Sequence, residues 1–394
     1  MARILQLGAG KLMTHSIRQI QALGHEVFVV DRNQYAPGFL VADGHAPIDL
    51  VDTPRMLAYA RDITADAIVA VNDAGVLTAA EVSEALGLRG VSPDIALNAL
   101  DKSKMRRLWT DAGLPQPRFA VVTTLADAQA QAGDIGYPLI VKPAMNWGSR
   151  GVSLVQSEAD LEWAFNFASE NQREGAILME QFLEGAEMTI DGLMQDGEVG
   201  VLAKSNQING DHAKYRVSEY VLFPADLDAE TSAHVDSIIA EGAKALGMDN
   251  CAIHAEAIIA PDGTVYLLEM AARPGGGHLF GMIVEAVSGI SPPQNLVKIL
   301  LGEDAEIQPR YQRGAVYRFF SPPTGTFIRA EGIEEAQRIE GVLDFGFYME
   351  AGTEVTAIAN GAARPGYCVT AGDTRAEAIA IAEKAVNAVQ FIME

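Results

Sequence analysis

Cysteine is scarce in this chain: there are two, Cys251 and Cys368, far apart and in no metal or redox spacing. That excludes a disulfide framework, favours a reducing compartment and predicts two small core residues. No apolar run is long enough to span a bilayer. The opening MARILQLGAG reads directly as a strand with no leader, so a cytoplasmic location is expected. Positive charge is also short, with 29 Lys and Arg against 52 Asp and Glu and a formal net charge of −23. So acidic a surface argues against nucleic acid or an anionic membrane as partner. An anionic small molecule would need a local cluster of lysine and arginine. Two phosphate-binding fingerprints are incomplete. Met13 stands where G-x-G-x-x-G needs its third glycine, and Gly10-Lys11 is followed by Leu12 rather than Ser or Thr. With Asp31 in the acidic position after the second strand, a nicotinamide-dependent oxidoreductase stays a lesser alternative. There is no Ser/His/Asp or Cys/His constellation for a covalent nucleophile.

What is present is α/β alternation over 394 residues, enough for two or three domains. Strands at Arg3 to Leu7, Glu26 to Asp31 and Ala67 to Val71 alternate with helical stretches. They predict a doubly wound parallel sheet over residues 1–97. A helix opens at Asp101-Lys102-Ser103-Lys104, and Pro115 and Pro117 then break the chain as a hinge. Residues 98–310 form the expected second domain, with a mobile lobe over 115–190. From residue 311 the pattern becomes a small α+β domain, closed by a helix that runs from the Thr374/Glu377 capping box to about Phe391.

The most informative stretch is His254 to Gly277, HAEAIIAPDGTVYLLEMAARPGGG. It reads as a hairpin about Asp262-Gly263. A turn symmetric about that dipeptide pairs residues whose numbers sum to 525, placing Pro261 against Thr264 and Glu256 against Glu269. Like charges directly opposite each other are destabilising. Two carboxylates on one face make sense with a divalent cation between them, since hard cations take oxygen ligands. A solvated sheet edge is the plainer reading, and a one-residue bulge would separate the two faces. Arg273 and Pro274-Gly275-Gly276-Gly277 follow, a loop whose backbone can approach a ligand closely. Upstream, the strand ending at Lys142 runs into a turn containing Gly148-Ser149-Arg150-Gly151. Its amides could cradle an anion, or it could be a mobile hairpin tip. Gly210 to Arg216 is a basic loop in an acidic chain.

In their order these parts resemble the ATP-grasp enzymes, in particular carboxylate–amine ligases of the L-amino-acid (dipeptide) ligase type, over essentially the whole chain. The resemblance implies an ATP-grasp fold with a parallel-sheet N-terminal domain and a small C-terminal α+β domain. It assigns Lys104 and Lys142 to the ATP phosphates and Lys214 beside them. Gly148-Ser149-Arg150-Gly151 become the flap, and the backbone of Glu180-Gln181-Phe182-Leu183 an adenine-reading linker. Glu187 falls on the ribose, Glu256 and Glu269 on the metal, and Arg273 on the acyl phosphate. His254, Gly276, Gly277 and His278 are expected near the substrates, with His212 similar. Where many relatives have Glu-x-Asn this chain has Glu269-Met270-Ala271, so one common metal ligand is missing. The implied cofactors are ATP and Mg²⁺ or Mn²⁺. The implied partners are a small carboxylate and an amine, with a homodimer as the assembly of many relatives. The implied reaction is amide formation through an acyl phosphate, releasing ADP and phosphate. The segment Gly372 to Ala378 also resembles biotin carboxylases, which keeps bicarbonate or formate activation as an alternative.

Overall fold

The structure is a computed structural model and describes residues 1–173, 175–210, 217–356 and 363–394. Four short strands, β1 (Arg3–Leu7), β2 (Glu26–Val30), β3 (Gly44–Ala46) and β4 (Ala67–Ala70), pair in parallel in the order β3-β2-β1-β4. Helices α1 (Thr14–Gln21), α2 (Thr53–Asp62) and α3 (Asp73–Leu86) connect and cover them. α3 starts where the Asn72 side chain accepts from Gly75 N at 3.2 Å and stops at Gly87, in the left-handed region at φ 67°. The glycine turn after β1 is closed by protein. Asp31 accepts from Ala9 N at 3.2 Å and from Asn33 N at 2.9 Å, and Gly38 N donates to Ala9 O at 2.7 Å. The acidic residue of the incomplete dinucleotide fingerprint is thus spent on its own loops.

α4 (Pro93–Leu100) and α5 (Lys102–Asp111) meet at Asp101, which ends the first and caps the second by accepting from Ser103 N at 2.9 Å. Next come β5 (Phe119–Val122), α6 (Leu125–Ile135), β6 (Leu139–Pro143), β7 (Ser153–Val155), α7 (Glu158–Asn171) and β8 (Ile177–Gln181). These strands make an antiparallel sheet in the order β5-β8-β6-β7 over its own apolar core of Leu139, Val141, Leu161, Ile177 and Met179.

The largest sheet has eight strands. β9 (Ala186–Gln195), β10 (Glu198–Asn209), β11 (Ser218–Phe223), β12 (Cys251–Ile259) and β13 (Val265–Ala271) are joined by α8 (Ala229–Ala245), which packs on β13. After a π-helical turn at Leu279–Ile283 come α9 (Val284–Ser288) and α10 (Pro292–Leu301). The chain closes with β14 (Gly314–Phe319), β15 (Gly325–Glu331), α11 (Ile333–Gln337), β16 (Val342–Phe347), β17 (Glu354–Val355), β18 (Gly366–Gly372), α12 (Arg375–Asn387) and β19 (Gln390–Met393). The strand order β13-β12-β9-β10-β11-β14-β18-β16 runs straight across residue 311, so three strands of the expected C-terminal unit extend this sheet rather than building their own. The last helix is shorter than predicted. It ends at Asn387, and β19 pairs with β15, with Phe391 packed on Phe320 and Phe347.

Cys251 and Cys368 are free and buried, and burial pushes both thiols up to about 12. Among the described residues no helix is long and apolar enough to cross a membrane.

Candidate active site

The β12–β13 hairpin does place Glu256 opposite Glu269, but by a different route from the one its turn predicts. Ala260 N donates to Thr264 O and Gly263 N to Ala260 O, both at 2.9 Å, and Gly263 has φ 86°. The loop is therefore Pro261-Asp262-Gly263, three residues long, and Pro261 does not face Thr264. Near the turn the pairs are Ile259 with Val265 and Ala257 with Leu267. A bulge between Ala257 and Glu256 leaves Leu268 as the extra residue and restores Glu256–Glu269, Ala255–Met270 and His254–Ala271. Across β12, Glu256 also faces Thr189 and His254 faces Asp191 of β9. Burial first, and then the charge of Glu269, raise the proton affinity of Glu256 above the usual carboxylate range.

What holds the bulge is a buried arginine on α5. Arg106 donates to Leu267 O at 3.3 Å and to Leu268 O at 2.7 Å, and its Nε reaches Glu180 Oε1 at 2.7 Å. Lys142 Nζ takes the other oxygen of Glu180 at 2.7 Å. Burial alone would push Glu180 up, but the adjoining Arg106 and Lys142 hold it at about 2. Glu180 is thus a structural counter-ion, and the strand β8 that carries it leads into Gln181, Phe182 and Leu183 on the cleft wall. Phe182 N donates to Pro138 O at 3.4 Å.

The two hairpin glutamates, Lys142, Glu180 and Gln181 to Leu183 line one cleft with about 200 Å³ of space. Of the residues expected from the sequence, Lys142, Gly148, Ser149, Arg150, Glu180 to Leu183, Glu187, His254, Glu256, Glu269 and Arg273 reach it. Lys104 does not. α5 begins at Lys102, and side chains two apart on a helix point away from each other. Lys102 is turned inward, with Nζ 3.0 Å from Glu269 Oε1 and 2.8 Å from Asn146 O, while Lys104 is exposed. The inward stripe was legible as Lys102, Arg106 and Trp109, spaced i, i+4 and i+7 and all buried. Lys214 and His212 lie outside the described residues.

The flap turn is stiffer than a bare glycine tip. Gly148, Ser149 and Gly151 have φ of 70°, 58° and 77°. Asn146 Nδ2 donates to Asn171 O at 2.5 Å, and the Arg173 guanidinium lies 4.1 Å from the centre of the Trp147 ring. Gly151 sits behind the cleft wall, where a Cβ would come 2.9 Å from Pro143 Cγ. Glu187 accepts from Asn209 Nδ2 at 2.5 Å.

At the far end, His254 Nδ1 meets Asp191 Oδ1 at 2.9 Å. Burial lowers the proton affinity of His254, but Asp191 raises it more, leaving it above its ordinary value. Gly275 packs onto this dyad: a Cβ there would lie 2.4 Å from Asp191 Oδ1 and 3.0 Å from His254 Nδ1. Gly276, Gly277 and His278, expected near the substrates, are not among the residues that line this cleft. Gly276 and Gly277 stand outside the cleft wall. Gly277, at φ 66°, turns the chain so that His278 is buried away from the cleft. His278 Nε2 meets Asp344 Oδ2 at 2.7 Å and Nδ1 meets the Tyr317 hydroxyl at 3.2 Å. Those bonds join the glycine loop to the C-terminal strands, a packing role. Arg273 lines the cleft, and Asp73 holds its guanidinium. Burial would raise the Asp73 carboxyl, but Arg273 outweighs it and keeps it low. Lys102, Arg106, Asp73 and Asp191 are the site residues that sequence reasoning missed.

Among the described residues no three His, Cys, Asp or Glu side chains converge on a metal point. Glu256 and Glu269 face each other as two carboxylates on the cleft wall. Ala271 lies opposite His254 and lines the cleft beside them, without a donor atom.

Residues 135–281 match the family described as ATP-grasp domain, residues 18–90 the ATP-grasp N-terminal domain, and residues 318–394 the L-amino acid ligase C-terminal domain 2. The chain is 30% identical over 279 residues to alanine–anticapsin ligase of Bacillus subtilis (strain 168), covering 64% of this chain and 58% of that protein. It is 31% identical over 220 residues to a D-alanine–D-alanine ligase of Cupriavidus taiwanensis, covering 54% and 66%. It thus spans less than two thirds of the length of these curated relatives. An L-amino acid ligase from Bacillus licheniformis shares the fold, with TM-score 0.88 at 24% identity over 100% of this chain and 99% of that one.

Proposed function

This chain belongs to the ATP-grasp superfamily, and on that premise we propose that it is an ATP-dependent carboxylate–amine ligase. It joins the carboxylate of an amino acid to an amine, with a second amino acid as the acceptor that its relatives suggest. The observation that carries the reading is one cleft holding opposed glutamates, two buried lysines and a nearly enclosed arginine.

A carboxylate is a poor acyl donor because its leaving group would be oxide. Transfer of the γ-phosphoryl group of ATP to a carboxylate oxygen gives an acyl phosphate and ADP. The amine then attacks the carbonyl carbon, the C–O bond to phosphate breaks, and the amine gives up a proton as the amide forms. Phosphoryl transfer is mostly positioning and charge neutralisation. Lys102 and Lys142 provide positive charge along the triphosphate, and Lys214 is the third lysine we assign there. Gln181 to Leu183 receive the adenine and Glu187 the ribose. The Arg273 guanidinium holds the substrate carboxylate and then the charge that develops as phosphate leaves. The flap around Trp147 to Gly151 excludes water that would hydrolyse the acyl phosphate.

A divalent cation, Mg²⁺ or Mn²⁺, fits Glu256 and Glu269. They are hard oxygen donors facing each other, and burial, then the charge of Glu269, keeps the proton affinity of Glu256 raised even though Lys102 pairs with Glu269. Bound there, the cation would supply neutralisation of phosphate charge. The acidic chain and its two buried thiols support a cytoplasmic location.

The test is release of ADP and phosphate across a matrix of amino-acid pairs, with the product identified by mass. The expected result is turnover that needs a divalent cation and both substrates. Turnover stimulated by bicarbonate or formate, with no amide product, would move the enzyme to the other ATP-grasp chemistry.

A further inference from the structure

Arg273 carries five N–H donors in a rigid plane, and three of them are already committed. Its Nε donates to Asp73 Oδ1 at 2.9 Å, one Nη2 hydrogen goes to Asp73 Oδ2 at 2.9 Å, and one Nη1 hydrogen goes to Pro274 O at 2.8 Å. Asp73 therefore occupies the side-on edge of the guanidinium with both oxygens. One hydrogen remains on each terminal nitrogen, and Arg273 forms part of the cleft wall. Both side chains are nearly enclosed, at 11% and 12% exposure, so neither is free to swing in solvent.

The carboxylate that does this comes from the other end of the chain. Asp73 is the first residue of α3, directly after β4 of the N-terminal parallel sheet. Its place is set by the helix start: Asn72 caps α3, and a carboxylate in the first turn is favoured by the helix dipole. A fixed helix terminus thus holds a fixed carboxylate, and that carboxylate fixes the plane of a guanidinium.

We propose that Asp73 is the positioning residue of the active site, locking the side-on edge of Arg273 so that its remaining N–H groups face the substrate carboxylate and the phosphoryl group it receives. This rests on the ligase reading above. A single hydrogen bond or a bare charge would join the two regions equally well. A two-point contact also sets orientation, and an electrophilic group displaced by about 1 Å loses much of its effect on a transition state.

The experiment compares wild type with Asp73→Asn, Asp73→Glu, Arg273→Lys and the Asp73→Asn/Arg273→Lys double variant. The readouts are amino-acid-dependent ATP turnover, KM for ATP, and melting temperature. The expected result is a loss of about 10–100-fold in kcat for Asp73→Asn with KM for ATP within about twofold of wild type. Asp73→Glu recovers part of that loss. Asp73→Asn costs little more once Arg273 is lysine, because the geometry it maintained is already gone. Two results overturn the assignment while leaving the ligase reading intact. One is a fall in melting temperature with kcat unchanged, the signature of a staple between two regions. The other is losses that simply multiply in the double variant. A wild type without amino-acid-dependent turnover would overturn the ligase reading first, and with it the substrate carboxylate that this assignment requires.

Discussion

Two glutamates line the same cleft and titrate in opposite directions. Glu180 is 3% exposed and sits between Arg106 and Lys142, with a carboxyl held at about 2. Glu256 is partly enclosed on β12, faces Glu269, and has its carboxyl raised by burial and by that neighbour. Desolvation acts on both in the same sense, so the difference comes from the neighbours. Glu180 has its cations built in, and its work is to fix Lys142 and, through Arg106, the hairpin bulge. Glu256 has no such direct partner: His254 and Lys142 offset its burial and the charge of Glu269 only in part. Two carboxylates of one type in one pocket are thereby divided into a structural counter-ion and the one we propose as a ligand-binding group.

The largest effect separating them is on stability. Glu180→Gln leaves two buried cations short of a counter-ion and is expected to cost about 3–5 kcal/mol. Glu256→Gln removes a repulsion and leaves stability at or above wild type. Urea denaturation of the two variants checks this, and similar losses in both would break the comparison. Arg106→Lys is expected to fall between them. It keeps a positive charge near Glu180 but cannot span Glu180 and the carbonyls of Leu267 and Leu268 together, at a cost of about 1–3 kcal/mol. The accompanying sign of a loosened bulge is a weaker thermal shift on adding Mg²⁺ and an ATP analogue.

The pH dependence gives a smaller but more specific contrast. Glu180 has a depressed folded-state value, so its stabilisation is present above the ordinary 4.5 and is lost as pH falls from there towards about 2. Glu256 has a raised one, so relative to the unfolded chain it favours the folded state at low pH and loses that advantage as pH rises above 4.5. A tenfold difference in proton affinity between the folded and unfolded chain corresponds to about 1.4 kcal/mol. Denaturation midpoints of wild type minus Glu256→Gln should therefore decline as pH increases above 4.5, while wild type minus Glu180→Gln should decline as pH drops below it.

This division was only half legible in the sequence. Glu256 opposite Glu269 follows from strand periodicity and a turn signal, yet the true turn is one residue out of register and the bulge at Leu268 puts it back. That correction depends on a guanidinium from a helix some 160 residues upstream, which no local pattern reports. Lys104 was preferred to Lys102 although Asp101 caps the helix and Lys102, Arg106 and Trp109 form its inward stripe. The helical phase was there to be read. Asp73 and Asp191 could not be found that way, because what singles them out is a partner brought close by folding. His278 misled through proximity: it follows the glycine loop in sequence, and the left-handed turn at Gly277 sends it to Asp344 instead. Three strands of the parallel N-terminal sheet were readable from largely buried apolar runs, but β3, Gly44-His45-Ala46, has no such run and was not. The joining of β14, β18 and β16 to the central sheet was not, since edge pairing between distant strands leaves no local mark.

The most direct measurement is Mn²⁺ binding, followed by electron paramagnetic resonance in the presence of a non-hydrolysable ATP analogue. Wild type should bind at least about tenfold more tightly than Glu256→Gln and Glu269→Gln. Glutamine variants that hold Mn²⁺ as tightly as wild type would contradict the account, because neither carboxylate would then be a ligand of the metal.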